Sequence, residues 1–284
     1  MIPAEFDYIA AFIKRRSGIV LAPDKTYLVE SRLLPLAHQL GLAGIKAIVA
    51  GLRRGDATLQ RLVVEAMTTN ETLFFRDRLP FEQCERLILP QLIAACPPGG
   101  TIRIWCAACS SGQEPYSLAM LIEECGFAAQ ARFEIIGTDI SQAMIARATD
   151  GLYTQFEAQR GLAVRRLLQW FAQEGTHWRI APQLRQRVTF MPLNLLEDFS
   201  RLGHFDLIFC RNLLIYFDQP TRAALLDRLA AALTPGGFLV LGAAEAPDRL
   251  SDALARHRDE PSLIVRADNP ISARPTRPLA GIED

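Results

Sequence analysis

The sequence lacks an excess of either charge, a long apolar run and an N-terminal signal. Its 31 basic residues balance 31 acidic ones, so the net charge does not indicate a chain that binds nucleic acid or an acidic membrane surface. No apolar run approaches the roughly 18 residues that a transmembrane helix needs. The first residues, Met-Ile-Pro-Ala-Glu-Phe-Asp, contain neither the basic nor the apolar region of a signal peptide. We therefore expect a cytoplasmic protein that does not insert into a membrane.

Ligands for a metal ion are also scarce. Cys106 and Cys109 form a single Cys-x-x-Cys pair, and no second pair of Cys or His stands at zinc-ligand spacing. The pair could be half of a redox or zinc site, or two small residues at the end of a strand and in the turn that follows. Because partner ligands are missing, the second interpretation is favoured and no metal site is predicted.

Residues 1–69 are predicted to form a small bundle of short helices. Apolar residues recur at helical spacing in four stretches, which cover 6–17, 23–40, 44–52 and 56–67. Basic residues outnumber acidic ones in this region. That surplus is either an ordinary solvated face or a docking surface for an acidic partner.

From residue 79 onward, predicted strands alternate with predicted helices. A helix over 79–95 comes first. Apolar strands are then predicted at 102–106, 133–138, 188–191, 205–210 and 238–241, the last entered through Pro235-Gly236-Gly237. This alternation is typical of an α/β fold with a mostly parallel, doubly wound sheet. Two further stretches, 254–257 and 262–265, predict an antiparallel hairpin at one edge.

Two regions depart from this alternation. Over 151–187, the aromatic stretches Gln169-Trp-Phe-Ala and His177-Trp-Arg-Ile flank Gln173-Glu174-Gly175, which predicts a small inserted β element. Residues 267–284 are polar and rich in proline, which predicts a disordered tail or a linker.

The stretch from 101 to 120 is the best candidate for a ligand site. A strand at 102–106 runs into a turn of small residues, 107–112, and then into a helix whose first turn holds Pro115. Open α/β sheets bind nucleotide-like ligands at such turns, at the carboxyl ends of their strands. A dinucleotide site would carry Gly-x-Gly-x-x-Gly, whereas only Gly112 is present, and Glu114 would repel a pyrophosphate.

Glu114 would instead suit a ligand with a positively charged amino group. Asp139 ends the next predicted strand and could accept hydrogen bonds from both hydroxyls of a ribose. It could also cap the following helix, a role that Ser141 could equally fill. Together, the two carboxylates favour an adenosine ligand that has a cationic tail and no phosphates. S-adenosylmethionine has those features.

Four stretches stand in the same order as the motifs of one enzyme family. They are Thr69-Asn-Glu-Thr-Leu-Phe-Phe-Arg76, Cys109-Ser-Ser-Gly-Gln-Glu-Pro-Tyr-Ser117, Gly137-Thr-Asp-Ile140 and Phe205-Asp-Leu-Ile-Phe-Cys-Arg-Asn-Leu-Leu-Ile-Tyr-Phe-Asp218. They resemble the motifs of the chemotaxis receptor methyltransferases, the CheR family, and the similarity runs from the N-terminal helices to about Arg266. The resemblance implies a Rossmann-like, S-adenosylmethionine-dependent methyltransferase sheet with an N-terminal all-helical domain and a small inserted β subdomain.

The implied organisation divides the chain into a helical domain at 1–69, a linker at 70–78, a methyltransferase domain at 79–266 and a tail at 267–284. The β subdomain would be the insertion at about 151–187. The implied reaction moves a methyl group from S-adenosylmethionine to glutamate side chains on the cytoplasmic helices of methyl-accepting chemoreceptors. It would form glutamyl methyl esters and leave S-adenosylhomocysteine. We expect a monomer.

The resemblance also implies roles for single residues. Those at the cofactor would be Asn70, Thr72, Arg76, Glu114, Asp139, Asn194, Leu195, Arg211 and Asn212. Among them, Glu114 and Asp139 would hold the methionine and ribose ends. Arg76 and Tyr216 would face the methyl group that is transferred. Simpler alternatives are a surface ion pair for Arg76, a core position for Tyr216 and a helix start for Asn70.

The expected chemistry needs no general base. A glutamate carboxyl group has a pKa of about 4.3, so it is already the nucleophile at pH 7. Catalysis then consists mainly of aligning the reacting groups. The planar guanidinium of Arg76 is suited to hold a carboxylate through two donors.

One feature of the family and two rival functions bear on this prediction. Members that tether to a receptor pentapeptide carry a glycine-rich loop in the β subdomain, whereas 173–176 holds one glycine, so we expect no dependence on that tether.

The main rival is a catalytically silent S-adenosylmethionine-binding sensor or adaptor of a chemosensory-like pathway. A nucleic-acid methyltransferase is disfavoured by the balanced charge and by the lack of an Asn-Pro-Pro-Tyr motif.

Overall fold

The computed structural model describes residues 1–245 and 251–267. The predicted tail at 267–284 lies outside the described residues except for Ala267. The N-terminal region folds into α1 Pro3–Ser17, α2 Thr26–Gln39, α3 Ile45–Arg53 and α4 Ala57–Met67. The four predicted helices are thereby confirmed.

The rest of the described chain alternates strands with helices. The strands are β1 Thr101–Ala107, β2 Arg132–Asp139, β3 Leu152–Thr154, β4 Phe171–Glu174, β5 His177–Ile180, β6 Val188–Pro192, β7 Phe205–Cys210, β8 Leu233–Leu241, β9 Leu254–Arg256 and β10 Ile264–Arg266. The helices are α5 Leu79–Gln83, α6 Leu89–Ala95, α7 Gln113–Glu124, α8 Gln142–Asp150, α9 Gln155–Gln159, α10 Val164–Trp170, α11 Pro182–Arg185 and α12 Gln219–Ala232. A π-helical turn, Cys84–Ile88, joins α5 to α6.

Seven strands form the main sheet, in the order β6-β2-β1-β7-β8-β10-β9. The strands from β6 to β8 run parallel to their neighbours. The hairpin of β9 and β10 adds an antiparallel edge beside β8, as predicted. The predicted α/β fold with a mostly parallel sheet is therefore confirmed.

The insertion contains a second, smaller sheet. Its three antiparallel strands have the order β3-β5-β4, and β4 begins within the first aromatic stretch, at Phe171, while β5 is the second. Trp170, at the end of α10, is buried and donates its indole N–H to Glu124 of α7 at 2.9 Å. The small inserted β element is confirmed, and this contact fixes it against the main domain.

The last long strand begins earlier than predicted. β8 starts at Leu233, which pairs with Phe205, and the register then jumps so that Leu207 pairs with Phe238. Pro235-Gly236-Gly237 therefore lies in a bulge within β8 and is not an entry turn before it. Proline has no backbone N–H to donate to a neighbouring strand, and a bulge leaves that position unpaired.

Two apolar clusters cover the two faces of the main sheet. Alternate residues of β1 divide between them, with Trp105 in one and Ile104 in the other. The first cluster is continuous with the core of α1 to α4, in which Ile9 and Leu33 are fully buried. The N-terminal helices thus share one apolar core with that face of the sheet. No helix in the described ranges is long and apolar enough to cross a membrane.

Candidate active site

A cleft opens at the carboxyl ends of β1, β2, β6 and β7. Its wall is formed by the residues that follow these strands, by the linker after α4 and by the connection between α1 and α2. This is the place where parallel α/β sheets bind ligands.

All ten residues that the sequence singled out lie in the wall of this cleft. They are Asn70, Thr72, Arg76, Glu114, Asp139, Asn194, Leu195, Arg211, Asn212 and Tyr216. They come from five separate segments of the chain, so the fold brings together what the sequence spaces over about 150 residues. Their individual roles stay predictions.

The small-residue turn after β1 is a strained backbone segment. Ala108, Ser110 and Gly112 have φ angles of 62°, 50° and 90°, in the left-handed region that costs an L-residue about 1–2 kcal/mol. Hydrogen bonds hold the turn in this shape, because the Ser110 N–H donates to Asp139 Oδ2 at 2.8 Å and the Ser110 hydroxyl to the Asn70 carbonyl at 2.9 Å. The turn is therefore fixed between β2 and the linker.

Asp139 is almost fully buried at the end of β2. Burial raises the pKa of its carboxyl group, while backbone N–H groups, including those of Ser141 and Ser110, oppose the shift. Ser141 caps α8, since its hydroxyl accepts the N–H of Met144 at 3.3 Å. The N-cap role that Asp139 could have filled is thus taken, and its carboxylate faces the cleft.

Glu114, Arg211 and Asp77 form a linked ion-pair group. Arg211 Nη1 lies 2.9 Å from Glu114 Oε2, and Arg211 Nη2 lies 2.6 Å from Asp77 Oδ2. Burial raises the pKa of Glu114, and the charge and hydrogen bond of Arg211 oppose that shift. Two carboxylates share one guanidinium, so the group has a net charge of −1 when ionised. A cationic ligand group beside Glu114 would neutralise it.

The linker carries Arg76 into the cleft on an unusual backbone. Phe75, Asp77 and Arg78 have φ angles of 50°, 67° and 48°. The Arg76 carbonyl accepts from Arg211 Nη2 at 2.9 Å, and the Phe75 N–H donates to the Ser117 hydroxyl at 2.9 Å. Contacts with β7 and α7 therefore hold the segment that presents the Arg76 side chain.

The sequence prediction missed the part of the wall that the N-terminal helices supply. Ser17 and Ile19 line the cleft, and Ile19 forms an isolated antiparallel bridge with Phe217. Asn194 donates its side-chain N–H to the Arg16 carbonyl at 2.8 Å. In the sequence, Ser17-Gly18 is visible only as a helix end, and nothing local indicates that this end meets residues about 200 positions away.

Two family models match the chain. The model of the CheR methyltransferase all-alpha domain covers residues 4–68, and that of the CheR methyltransferase SAM binding domain covers residues 70–258. The chain belongs to the CheR methyltransferase family. Because the larger matched domain is described as binding S-adenosylmethionine, the predicted cofactor is confirmed along with the family.

Curated members of the family are similar over nearly their whole lengths. Chemotaxis protein methyltransferase 1 of Pseudomonas aeruginosa is 43% identical over 269 residues, which are 93% of this chain and 98% of that protein. Chemotaxis protein methyltransferase Cher2 of Pseudomonas putida is 40% identical over 271 residues, 93% and 98% of the two chains. Chemotaxis protein methyltransferase 1 of Vibrio cholerae is 39% identical over 270 residues, 92% and 96%.

The cleft of this CheR family member fits S-adenosylmethionine chemically. Asp139 offers a carboxylate at the end of β2 for a ribose, and the group of net charge −1 around Glu114 offers a counter-charge for an ammonium. Ile140, Leu193 and Leu195 supply an apolar part of the wall that suits the faces of an adenine ring. The donors and the charges of this chain therefore match the ligand of its family.

Proposed function

We propose that this chain transfers the methyl group of S-adenosylmethionine to glutamate side chains of methyl-accepting chemoreceptors, forming γ-glutamyl methyl esters. The curated relatives are named chemotaxis protein methyltransferases, which does not favour the alternative of a silent sensor. The observation that carries the proposal is the contrast between the two arginines of the cleft. Arg211 is paired with two carboxylates, whereas Arg76 lies within 4.0 Å of no carboxylate in the described part of the chain.

Arg76 is the group that would hold the acceptor. Its side chain is half-buried and lines the cleft, and Nη1 donates one hydrogen bond at 2.8 Å to the Glu71 carbonyl. A guanidinium has five N–H donors in a planar fork, so donors remain for the acceptor carboxylate and for the cofactor. The bond to Glu71 fixes where that fork points.

The methyl transfer would then depend on orientation. S-adenosylmethionine, when bound, supplies a methyl group that its sulfonium makes electrophilic. The acceptor carboxylate is ionised at neutral pH and needs no base, so Arg76 would serve by holding one carboxylate oxygen in line with the methyl group. Tyr216 lies in the same wall, and its hydroxyl has no hydrogen-bond partner among the described residues. That hydroxyl is therefore free to bind a ligand group beside Arg76.

The direct test follows the methyl group into the product. Purified protein is mixed with chemoreceptor-containing membranes and S-adenosylmethionine tritiated in its methyl group, and the labelled receptors are then treated with base. We expect label on the receptor band and its release as methanol, because an ester is hydrolysed by base whereas a methylated amine is stable. Label that resists base, or no label with a protein that binds S-adenosylhomocysteine, would contradict the proposal.

The tether prediction belongs with this proposal. β4 ends at Glu174 and β5 begins at His177, so a two-residue turn, Gly175-Thr176, joins them and leaves no space for a glycine-rich loop. This supports a substrate interaction that does not use a C-terminal receptor pentapeptide. Calorimetric titration with a pentapeptide that ends in an aromatic residue should show no binding, and micromolar binding would overturn this point. A monomer in light scattering is the matching expectation for the free protein.

A further inference from the structure

A buried carboxylate behind the cleft holds one of its walls. Glu245 follows β8, is 5% exposed and is not among the residues that line the cleft. Its Oε2 accepts the backbone N–H groups of Asn212 at 2.6 Å and Gly242 at 2.8 Å, and its Oε1 accepts that of Ile215 at 3.4 Å. One side chain thus satisfies three backbone donors from two loops.

Two of these donors belong to the segment 211–216 that follows β7. Arg211, Asn212, Leu213 and Tyr216 of that segment all line the cleft. Asn212 has a φ of 59°, a left-handed conformation that is uncommon for a residue other than glycine. A charge-assisted hydrogen bond at the short distance of 2.6 Å stabilises the N–H of this strained residue.

The loop after β8 is shaped to let this contact form. A Cβ at Gly242 would lie 2.5 Å from Glu245 Oε2 and 3.0 Å from the Asn212 nitrogen. The absence of a side chain there lets the carboxylate approach the Asn212 backbone. Asn212 and Glu245 are 33 residues apart in the sequence. They meet because Asn212 follows β7, Glu245 follows β8, and these two strands are parallel neighbours in the sheet.

We infer that Glu245 is a positioning residue for methyl transfer, an inference that rests on the proposed function for the reaction concerned. Its carboxylate fixes the backbone of Asn212 and Ile215. Because Arg211 and Tyr216 stand on the same six-residue segment, Glu245 thereby sets where the Arg211 guanidinium and the Tyr216 hydroxyl stand in the cleft. A purely structural carboxylate would affect stability and leave the site of the folded protein unchanged.

The variants Glu245→Ala and Glu245→Gln separate these roles. Alanine removes all three acceptors, whereas the glutamine oxygen can still accept from Asn212 and Gly242 and its amide then faces the Ile215 N–H, a second donor. Asp206 is the matched control, since it lies at the other end of β7 and accepts the Arg103 N–H at 2.8 Å and the Thr234 hydroxyl at 2.9 Å. Asp206→Ala and Asp206→Asn thus remove comparable bonds away from the cleft.

The readouts are the Kd for S-adenosylhomocysteine by calorimetry, and kcat and KM for methyl transfer, all well below each variant's melting temperature. We expect Glu245→Ala to raise the Kd about tenfold and to lower kcat about a hundredfold, with Glu245→Gln between it and the wild type. The Asp206 variants should lower the melting temperature and leave Kd and kcat unchanged.

Wild-type Kd and kcat in a folded Glu245→Ala protein would overturn the inference, as would equal losses in the Asp206 variants. If Glu245→Ala does not fold, wild-type Kd and kcat in Glu245→Gln would overturn the inference instead. A wild-type protein that binds S-adenosylhomocysteine and transfers no methyl group would instead contradict the proposed function. The Kd comparison would still decide the role of Glu245.

Discussion

The contact between the insertion and the linker should be sensitive to a single methyl group. Gly161, between α9 and α10, has a φ of 90°, and a Cβ there would overlap the Phe74 carbonyl oxygen and lie 3.0 Å from its carbonyl carbon. Arg160 also forms an ion pair of 2.7 Å with Glu71. Both linker residues precede Arg76, so displacement of this contact would move the segment that presents the Arg76 side chain.

The cost of Gly161→Ala has two parts. The left-handed backbone costs alanine about 1–2 kcal/mol, and forcing a methyl group into an occupied space adds about 1–3 kcal/mol. Non-bonded heavy atoms lie about 3.5 Å apart in ordinary contact, and the overlap with the Phe74 oxygen is larger than that with its carbon, so the two backbones must separate by roughly 1 Å or more. A shift of about 1 Å in a catalytic group can cost about a hundredfold in rate.

Gly175→Ala is the matched control for this variant. Gly175 also lies in the insertion, has a φ of 60° and has no atom within 4 Å of a Cβ built there, so it tests the backbone cost alone. Urea unfolding should show a loss of about 1–2 kcal/mol for Gly175→Ala and of about 2–5 kcal/mol for Gly161→Ala. Only Gly161→Ala should lose methyl-transfer activity. Equal unfolding free energies and equal activities would show that the insertion does not hold the linker.

Three further predictions concern the cleft. Arg76→Lys keeps the charge and loses the planar fork, so methyl transfer measured with tritiated cofactor should fall about a hundredfold with a small change in the Kd for S-adenosylhomocysteine; wild-type turnover would refute the role of Arg76. Tyr216→Phe should lower the transfer rate about tenfold with an unchanged melting temperature, and an unchanged rate would assign Tyr216 to packing alone. Glu114 has a raised pKa, so as the pH falls through that value the carboxylate is protonated and its attraction for an ammonium is lost. Calorimetry between about pH 4 and 7 should show a Kd for S-adenosylhomocysteine that increases as the pH falls, and Glu114→Gln should bind weakly with a flatter profile; parallel profiles would contradict this.

Local patterns in the sequence predicted most of the helices and strands, whereas the site residues other than Glu114 and Asp139 were predicted from the resemblance to the CheR family. The helical spacing of Ile9 and Ile13 and the apolar strands before Ala107 and Asp139 report periodic burial, which short stretches encode directly. The motif residues stand after the ends of such strands, and parallel strands all end at the same edge. That shared edge explains why the residues after four of the strands, distant in the chain, meet in one cleft.

What the sequence could not show are the contacts made by backbone groups and by distant carboxylates. Phe75, Asp77 and Arg78 are not glycines, so the sequence does not predict positive φ angles for them. All three nevertheless have left-handed backbone conformations, because tertiary hydrogen bonds outweigh their local preference. Glu245 looks like a solvent-exposed loop residue in the sequence, and only the pairing of β7 with β8 places it under Asn212. The predicted start of β8 was wrong for a related reason. A Pro-Gly-Gly stretch predicts a turn, and only the pairing of β8 with β7 shows that the stretch lies in a bulge within the strand.

The two arginines of the cleft show why tertiary contacts, which the sequence does not reveal, matter for function. Both stand in motifs of the same family, and the resemblance assigns Arg76, not Arg211, to the methyl group without showing how their surroundings differ. In the structure, Arg211 is bound by Glu114, Asp77 and the Arg76 carbonyl, so its charge is already compensated and its hydrogen bonds connect Glu114 to the linker. Arg76 has a backbone carbonyl as its hydrogen-bond partner and forms no direct ion pair in the described part of the chain, and its charge acts on Glu71 and Glu114 only from a greater distance. We therefore expect a carboxylate that enters the cleft to bind Arg76, because Arg211, the other arginine of the described wall, is already paired with two carboxylates.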